Sequence, residues 1–151
     1  MHCACQVIYS EPSGLHGLDI HGGMMYFATL DGPKIKSAGL DGSGVKTLVD
    51  FTGQGFIGMH TIRVTSTNLY WAAATWTGGA ADMAYLDGSH MRTCMGDASG
   101  KGFYGIAVSA QNTMIYATDD QEDNQYLLIG QIDGPAPQRV AVRAAGRAAS
   151  S

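Results

Sequence analysis

Four acidic residues stand almost together near residue 120 and form the densest group of potential metal ligands in the chain. Asp119, Asp120, Glu122 and Asp123 offer carboxylate oxygens, the ligands that Ca²⁺ prefers. Their spacing lacks the glycine and the distal glutamate of a helix-loop-helix calcium loop. The run is also typical of a solvated acidic loop. We therefore expect no cofactor, with Ca²⁺ at these four residues as the alternative.

Histidine is the other residue type here that could bind a metal or act as a general base. His16 and His60 lie near glycine-rich segments, whereas His21 and His90 stand apart. In the alignment of repeats given below, no histidine or carboxylate recurs at equivalent positions. We expect hydrogen-bonded or exposed histidines and no catalytic residue.

Three cysteines leave several outcomes open. Cys3 and Cys5 follow His2, and Cys94 stands alone. A disulfide from Cys3 or Cys5 to Cys94 would leave one cysteine over. His2, Cys3 and Cys5 would supply three metal ligands, but the CxxC spacing of zinc ribbons is absent. Inert thiols are the third interpretation.

The two tryptophans are expected to have different roles. Trp71 lies in an apolar strand and is predicted to be buried between repeats. Trp76 precedes Gly78 and Gly79 and is predicted to lie in an exposed loop. An exposed indole is suited to contact a protein or a sugar, so Trp76 is the best candidate for a partner contact.

Composition excludes some classes of partner. Charged residues make up 15% of the chain, against about 25% in typical domains. The net charge of −4 and the pI of about 5.6 argue against nucleic acid, which requires a basic surface. No apolar run approaches the ~18–20 residues of a membrane span. No secretory leader is visible, the compartment is unknown, and an extracellular location is favoured.

A Leu-Asp-Gly or Ile-Asp-Gly tripeptide recurs along the chain. Asp41, Asp87 and Asp133 are separated by steps of 46 residues (87 − 41 and 133 − 87). Asp-Gly supplies the positive φ that a tight hairpin turn needs. Repetition at this interval indicates one supersecondary unit copied in tandem.

Each copy is predicted to contain four short strands. A Gly-x-x-Gly segment leads to an alternating strand, which is followed by an aromatic strand, a strand ending at Asp-Gly, and a closing strand. Asp19, inside the first alternating strand, is expected to bond neighbouring backbone. Four antiparallel strands per ~45 residues indicate a β-propeller blade. The Gly-x-x-Gly segments are aligned as 14–17, 55–58 and 102–105, and the closing strands as 46–49, 92–95 and 138–142.

The pattern resembles the YWTD-type propellers of the low-density-lipoprotein receptor family and related NHL-like propellers. Gly105-Ile106-Ala107-Val108, Leu69-Tyr70-Trp71 and the three Asp-Gly turns carry the likeness, over residues 14–142. Such propellers usually close with six blades, so the resemblance implies half a ring. The matching residues are structural, so the likeness implies a fold and no activity.

We thus predict an all-β fold, a β-propeller of three four-stranded blades that forms half of a six-bladed ring, with an extra N-terminal closing strand. The expected limits are 1–13 for that strand, 14–52, 53–98 and 99–142 for the blades, and 143–151 for an Ala/Arg/Ser tail.

An incomplete ring would expose apolar faces. Gln6, Val7, Ile8 and Tyr9 align with the closing strands and are predicted to pair with a blade of another copy. We expect a non-enzymatic module that self-assembles, as a two-chain ring or a head-to-tail filament, with a structural or protein-binding role. The alternatives are a metal-dependent propeller hydrolase of the lactonase type and a fragment of a longer receptor-like propeller.

Overall fold

The computed structural model describes residues 5–76, 78–97, 102–121, 124–132 and 138–141. All regular structure in these residues is β-strand. The strands are β1 Leu15–His21, β2 Met24–Thr29, β3 Lys34–Gly39, β4 Lys46–Asp50, β5 Phe56–Val64, β6 Asn68–Thr75, β7 Gly78–Tyr85, β8 Arg92–Asp97, β9 Phe103–Val108, β10 Met114–Gln121, β11 Asn124–Gln131 and β12 Gln138–Ala141.

The strands form three sheets of four, in the orders β1-β2-β3-β4, β5-β6-β7-β8 and β9-β10-β11-β12. Every neighbouring pair is antiparallel. We call the sheets blades 1, 2 and 3. The arrangement confirms the predicted all-β fold of three four-stranded blades.

The Asp-Gly turns adopt the expected conformation where they are described. Gly42 and Gly88 have φ angles of 83° and 85°. In the blade 1 turn, Asp41 Oδ1 accepts hydrogen bonds from the Ser43 amide (3.0 Å) and hydroxyl (2.6 Å). Both hydrogen bonds lower the pKa of Asp41, and the bond from the Ser43 hydroxyl has the larger effect. The third turn, at 133–134, lies outside the described residues.

The first strand of each blade is longer than predicted and contains a bulge. In blade 2 the register shifts between Met59 and Thr61, and shifts at comparable places interrupt β1 and β9. Each bulge increases the local twist and lets the strand continue into the predicted Gly-x-x-Gly segment. Segments expected to precede the strands therefore lie largely inside them.

The ladders also correct the alignment of blade 2. Leu18 pairs with Phe27, Ile62 with Trp71 and Ile106 with Ala117, so residues 18, 62 and 106 are equivalent. Counting back four residues makes Gly58, and not Gly55, the counterpart of Gly14 and Gly102. The alignment of 55–58 with the other two segments was thus wrong by three residues.

Two apolar interfaces join the blades. Burial of each large apolar side chain contributes about 1.5–3 kcal/mol, and Trp71 and Tyr70 are 0% exposed. The first interface contains Tyr26, Ala28, Ile35, Leu48 and Val49 of blade 1 and Ile62, Leu69, Trp71 and Ala84 of blade 2. The second contains Tyr70, Ala72, Ala81, Met83 and Met95 of blade 2 and Phe103, Ile106, Ile115, Ala117 and Leu128 of blade 3.

Residues 6–9, expected as a closing strand, are not a strand in this chain. A strand requires a hydrogen-bonded neighbour, and no strand of the described residues pairs with them. The tail, 143–151, lies outside the described residues. The described part of the chain holds no helix long and apolar enough to cross a membrane.

Candidate functional site

The outward side of blade 1 is built like an interface but has no blade against it. Leu18, Ile20, Met25, Phe27 and Ala38 lie on this side, because residues paired across a ladder share one face. We call this set the open side. Leu18 and Ile20 are 57% and 56% exposed, whereas the counterparts of Leu18, Ile62 and Ile106, are buried between blades.

Residues 5–11, the N-terminal segment, cover part of the open side. The ring of Tyr9 lies 5.3 Å from that of Phe27 and packs against Met25 and Ala38. A cavity of about 240 Å³ remains beside Tyr9 and Leu18. Val7 is 81% exposed, so apolar surface is left uncovered.

A polar cluster holds the N-terminal segment in place. Glu11 Oε2 accepts a hydrogen bond from the Tyr9 hydroxyl (2.7 Å) and an ion-paired hydrogen bond from Lys36 Nζ. These two hydrogen bonds lower the pKa of Glu11 to about 2, and the bond from Lys36 has the larger effect. Glu11 is therefore a carboxylate at neutral pH, with both side chains of the ion pair mostly buried.

The N-terminal segment lies where a closing strand would lie. In blade 2, a Cβ atom at Gly88 would collide with the carbonyl oxygen of Leu48, in the closing strand of blade 1. In blade 1, a Cβ atom at Gly42 would collide with the carbonyl oxygen of Ile8. Ile8 thus occupies the same position against blade 1 that Leu48 occupies against blade 2. Tyr9 therefore corresponds to Val49.

Three aromatic rings form a row across β1, β5 and β9, the first strands of the three blades. The rings of His16 and His60 are 5.9 Å apart, and those of His60 and Tyr104 are 4.4 Å apart. These residues are equivalent, since each lies two positions before the residues 18, 62 and 106 matched above. The expectation that no histidine recurs was therefore wrong, because the misaligned segment of blade 2 concealed it. Partial burial lowers the pKa of His60, and the nearby His16 has a smaller effect in the same direction.

A cavity of about 330 Å³ adjoins this row. Ile57, His60, Thr75 and Tyr104 contribute to its lining, and no charged side chain does so among the described residues. Trp76 follows Thr75 and is 77% exposed, with its amide donating to the carbonyl of Gly55 (3.3 Å). An apolar cavity beside an exposed indole can hold an apolar side chain or the apolar face of a sugar.

The other residues singled out from sequence are distributed over the molecule. Asp19 Oδ1 accepts from the amide of Ile20 (2.9 Å), and its Oδ2 accepts from that of Val64 in blade 2 (2.8 Å). Cys5 is exposed and Cys94 is half-buried at the second interface, while Cys3 lies outside the described residues. The three interpretations of the cysteines stay open.

The acidic residues named as the alternative calcium site fall largely outside the described residues. The backbones of Asp119 and Asp120 lie in β10, whereas Glu122 and Asp123 and all four side chains lie outside the described residues. Among the residues that are described, no three His, Cys, Asp or Glu side chains lie close enough together to hold a metal ion.

No protein-family model matches this chain, and no curated protein matches it. Solved structures do. A chain in the crystal structure of a nidogen/laminin complex has a TM-score of 0.73 at 19% identity, covering 91% of this chain and 52% of that one. The fold is that of a β-propeller.

Two further solved structures are similar. A putative TolB from Agrobacterium tumefaciens has a TM-score of 0.63 at 16% identity, covering 85% of this chain and 49% of that one. The computationally designed Ika4 protein has a TM-score of 0.59 at 14% identity, covering 93% and 78%. The present chain spans about half the length of the nidogen/laminin and TolB chains. At these identities the likeness shows the fold alone.

Proposed function

We propose that this chain is a non-enzymatic β-propeller module that completes its propeller by associating with further copies of itself. The open side of blade 1 carries the proposal. Its exposed Leu18 and Ile20 belong to a surface whose counterparts in blades 2 and 3 are covered by a preceding blade. An uncovered interface of this kind favours association.

Blade 3 supplies the matching surface. Tyr116, Leu127 and Ile129 are the counterparts, 46 residues on, of Tyr70, Ala81 and Met83. The latter three are buried at the second interface, whereas Tyr116 and Ile129 are half-buried and Leu127 is 36% exposed. Blade 3 of one copy packed on blade 1 of another would repeat the contact that already joins blades 1 and 2.

The mass of the particle in solution tests this proposal. Light scattering on the 151-residue chain should give twice 15.9 kDa for a closed ring. Mass that rises steadily with concentration would indicate a filament. A stable, folded monomer would refute self-association, and the intact mass of the protein from its natural source would reveal a fragment of a longer propeller.

A protein-binding role is supported by the cavity beside Trp76. The half-exposed Tyr104 belongs to its uncharged lining, and the exposed Trp76 directly follows the lining residue Thr75 in the chain. Aromatic side chains of this kind dominate binding energies. The proposed ligand is a protein segment that inserts an apolar side chain. A carbohydrate ligand is the alternative.

Binding experiments distinguish these ligands. The assembled protein is screened against a peptide library and a glycan array, and positives are repeated with Trp76→Ala. We expect peptide binding that weakens at least tenfold, since loss of an anchoring tryptophan costs about 2 kcal/mol or more. Tyr85→Ala, which removes another exposed ring, is the control. Peptide binding unaffected by Trp76→Ala would contradict the role of this cavity.

A further inference from the structure

We propose that, where two copies meet, residues 6–9 of one copy become the outer strand of blade 3 in the other copy, in place of that blade's own β12. The inference rests on the self-association proposed above. It specifies which segment of one copy pairs with the other copy, and which strand of the other copy is displaced. It applies equally to a closed ring and to a filament, because both use the same junction.

Each closing strand has two roles in this fold. It pairs with the third strand of its own blade, and it packs against the next blade along the chain. For β4 the first role is the ladder with β3. The second role places Leu48 and Val49 in the first interface, with the Leu48 carbonyl against Gly88. In its second role a closing strand lies beside the turn glycine of the next blade. We call this position on the next blade the seat.

The seat on blade 1 is already taken within the same chain. The carbonyl of Ile8 lies against Gly42, and Tyr9 packs on Phe27, which is the counterpart of Trp71. Glu11 holds the segment there through Lys36. The segment thus fulfils the second role of a closing strand, while its backbone has no strand partner among the described residues.

A second copy that adds its blade 3 to this junction brings a competitor. Its β12 pairs with its β11, with Val140 opposite Leu127 and Gln138 opposite Ile129. Residues 138–141 lie two repeats of 46 residues after 46–49 and are equivalent to them, and therefore also to 6–9. One seat cannot hold two backbones. Since the N-terminal segment is fixed to blade 1 by three contacts, β12 is the strand that is displaced.

The register of the exchanged strand follows from the equivalence. Ile8 should lie opposite Leu127 of the second copy, and Gln6 opposite its Ile129. Gln6 takes the place of Gln138, so the same residue type occupies the first position in both pairings. The β11 edge keeps its hydrogen-bonded neighbour, which limits the cost of losing β12.

Disulfide trapping tests this register. All variants carry Cys3→Ser, Cys5→Ser and Cys94→Ser, and chains with Gln6→Cys are mixed with chains with Ile129→Cys before mild oxidation. Directly paired residues have Cβ atoms about 4.5–5.5 Å apart, close enough for trapping. We expect a covalent dimer in at least tenfold excess over a mixture without Ile129→Cys.

The matched control is a single chain with Gln138→Cys and Ile129→Cys. If β12 is displaced, this chain should form little internal disulfide under conditions where the copies associate. An internal disulfide in the associated particle, with no dimer trapped through Gln6→Cys, would overturn the exchange while leaving self-association intact.

Deletions give a second measurement that does not depend on cysteine. Removal of residues 138–151 should leave the number of copies in the associated particle unchanged, whereas removal of residues 1–10 should weaken association at least tenfold. The opposite pattern would show that β12 keeps its place. A parent chain that is monomeric by light scattering would overturn both proposals.

Discussion

Asp82 shows how one structural position is filled differently in each blade. It pairs with Trp71, as Lys36 pairs with Phe27 in blade 1, and it is 4% exposed. The counterpart in blade 3, 46 residues on, is Leu128. Burial raises the pKa of Asp82, against smaller opposing effects of Thr93 and Trp71. A buried carboxyl without a cationic partner costs free energy when it ionises.

We predict that Asp82→Asn will equal or exceed the parent in stability at pH 7, by up to about 1 kcal/mol. Because the folded-state pKa is raised, the parent should lose stability as pH rises from about 4 through that pKa. The variant should lack this loss. Urea unfolding between pH 4 and 8 measures it, with the exposed Asp31→Asn as the control. A variant clearly less stable than the parent at pH 7 would contradict the expectation.

Gly17 is required by the close approach of β1 to β5. It has a φ of 48°, and a Cβ atom there would lie 2.9 Å from the amide nitrogen of Ile62. We predict that Gly17→Ala lowers the free energy of unfolding by about 2–3 kcal/mol. Gly22 has a φ of 58° and open space around it, so Gly22→Ala reports the cost of φ alone. Equal losses in the two variants would show that the contact with β5 is unimportant.

At the scale of elements, the N-terminal segment depends on a carboxylate. The low pKa of Glu11 means that its ion pair stabilises the fold fully above the unfolded value of about 4.5 and is lost as pH falls towards 2. We predict that Glu11→Gln lowers the thermal midpoint at pH 7 and makes it less dependent on pH between 5 and 2.

Asp50→Asn is the matched control for this prediction. It removes the ion pair between Lys34 and Asp50, whose side chains are 33% and 46% exposed, and exposed pairs contribute little. Thermal unfolding followed by circular dichroism compares the two variants. An effect at Asp50 as large as that at Glu11 would mean that the burial of the Glu11 pair is irrelevant.

The turns and blades could be predicted because their determinants are local. Asp-Gly sets the backbone of a hairpin wherever strands flank it, so the turns at 41–42 and 87–88 and the order of the strands followed from the sequence. The exposure of Trp76 and the burial of Trp71 followed from the apolar residues or glycines beside them. These features need no knowledge of distant contacts.

The row of His16, His60 and Tyr104 could not be found in the same way. A bulge shifts the register by one residue, and Gly55-Phe56-Ile57-Gly58 mimics the true equivalent segment three residues on. Counting from the aromatic strand, where Phe27 and Trp71 are 44 residues apart, would have matched the two histidines. The Lys36–Glu11 contact joins residues distant in sequence and left no local pattern.

At the scale of the molecule, the open side should control association. We predict that Leu18→Asp raises the dissociation constant of the associated particle by at least tenfold, about 1.4 kcal/mol, because it places a charge in an apolar contact. Leu18 is 57% exposed in the single chain, so folding should be retained. Sedimentation over a concentration series measures the constant.

Met91→Asp provides the comparison for this variant. Met91 is 47% exposed and directly precedes β8 in the middle blade. We expect association of this variant to match that of the parent. Equal weakening by Met91→Asp and Leu18→Asp would point to a general effect of charge and away from the open side.

The turn glycines also give the molecule a direction. Gly42 and Gly88 each receive a carbonyl group from chain that precedes their own blade, and the reverse contact has no counterpart in the described residues. Blades can therefore join only in the order in which the chain runs. Two copies placed with like surfaces together would not bring residues 6–9 of one copy to β11 of the other, whereas a two-chain ring would contain the junction between blade 3 and blade 1 twice. Growth by this junction is polar, as in a head-to-tail polymer, and closure is the event that ends it.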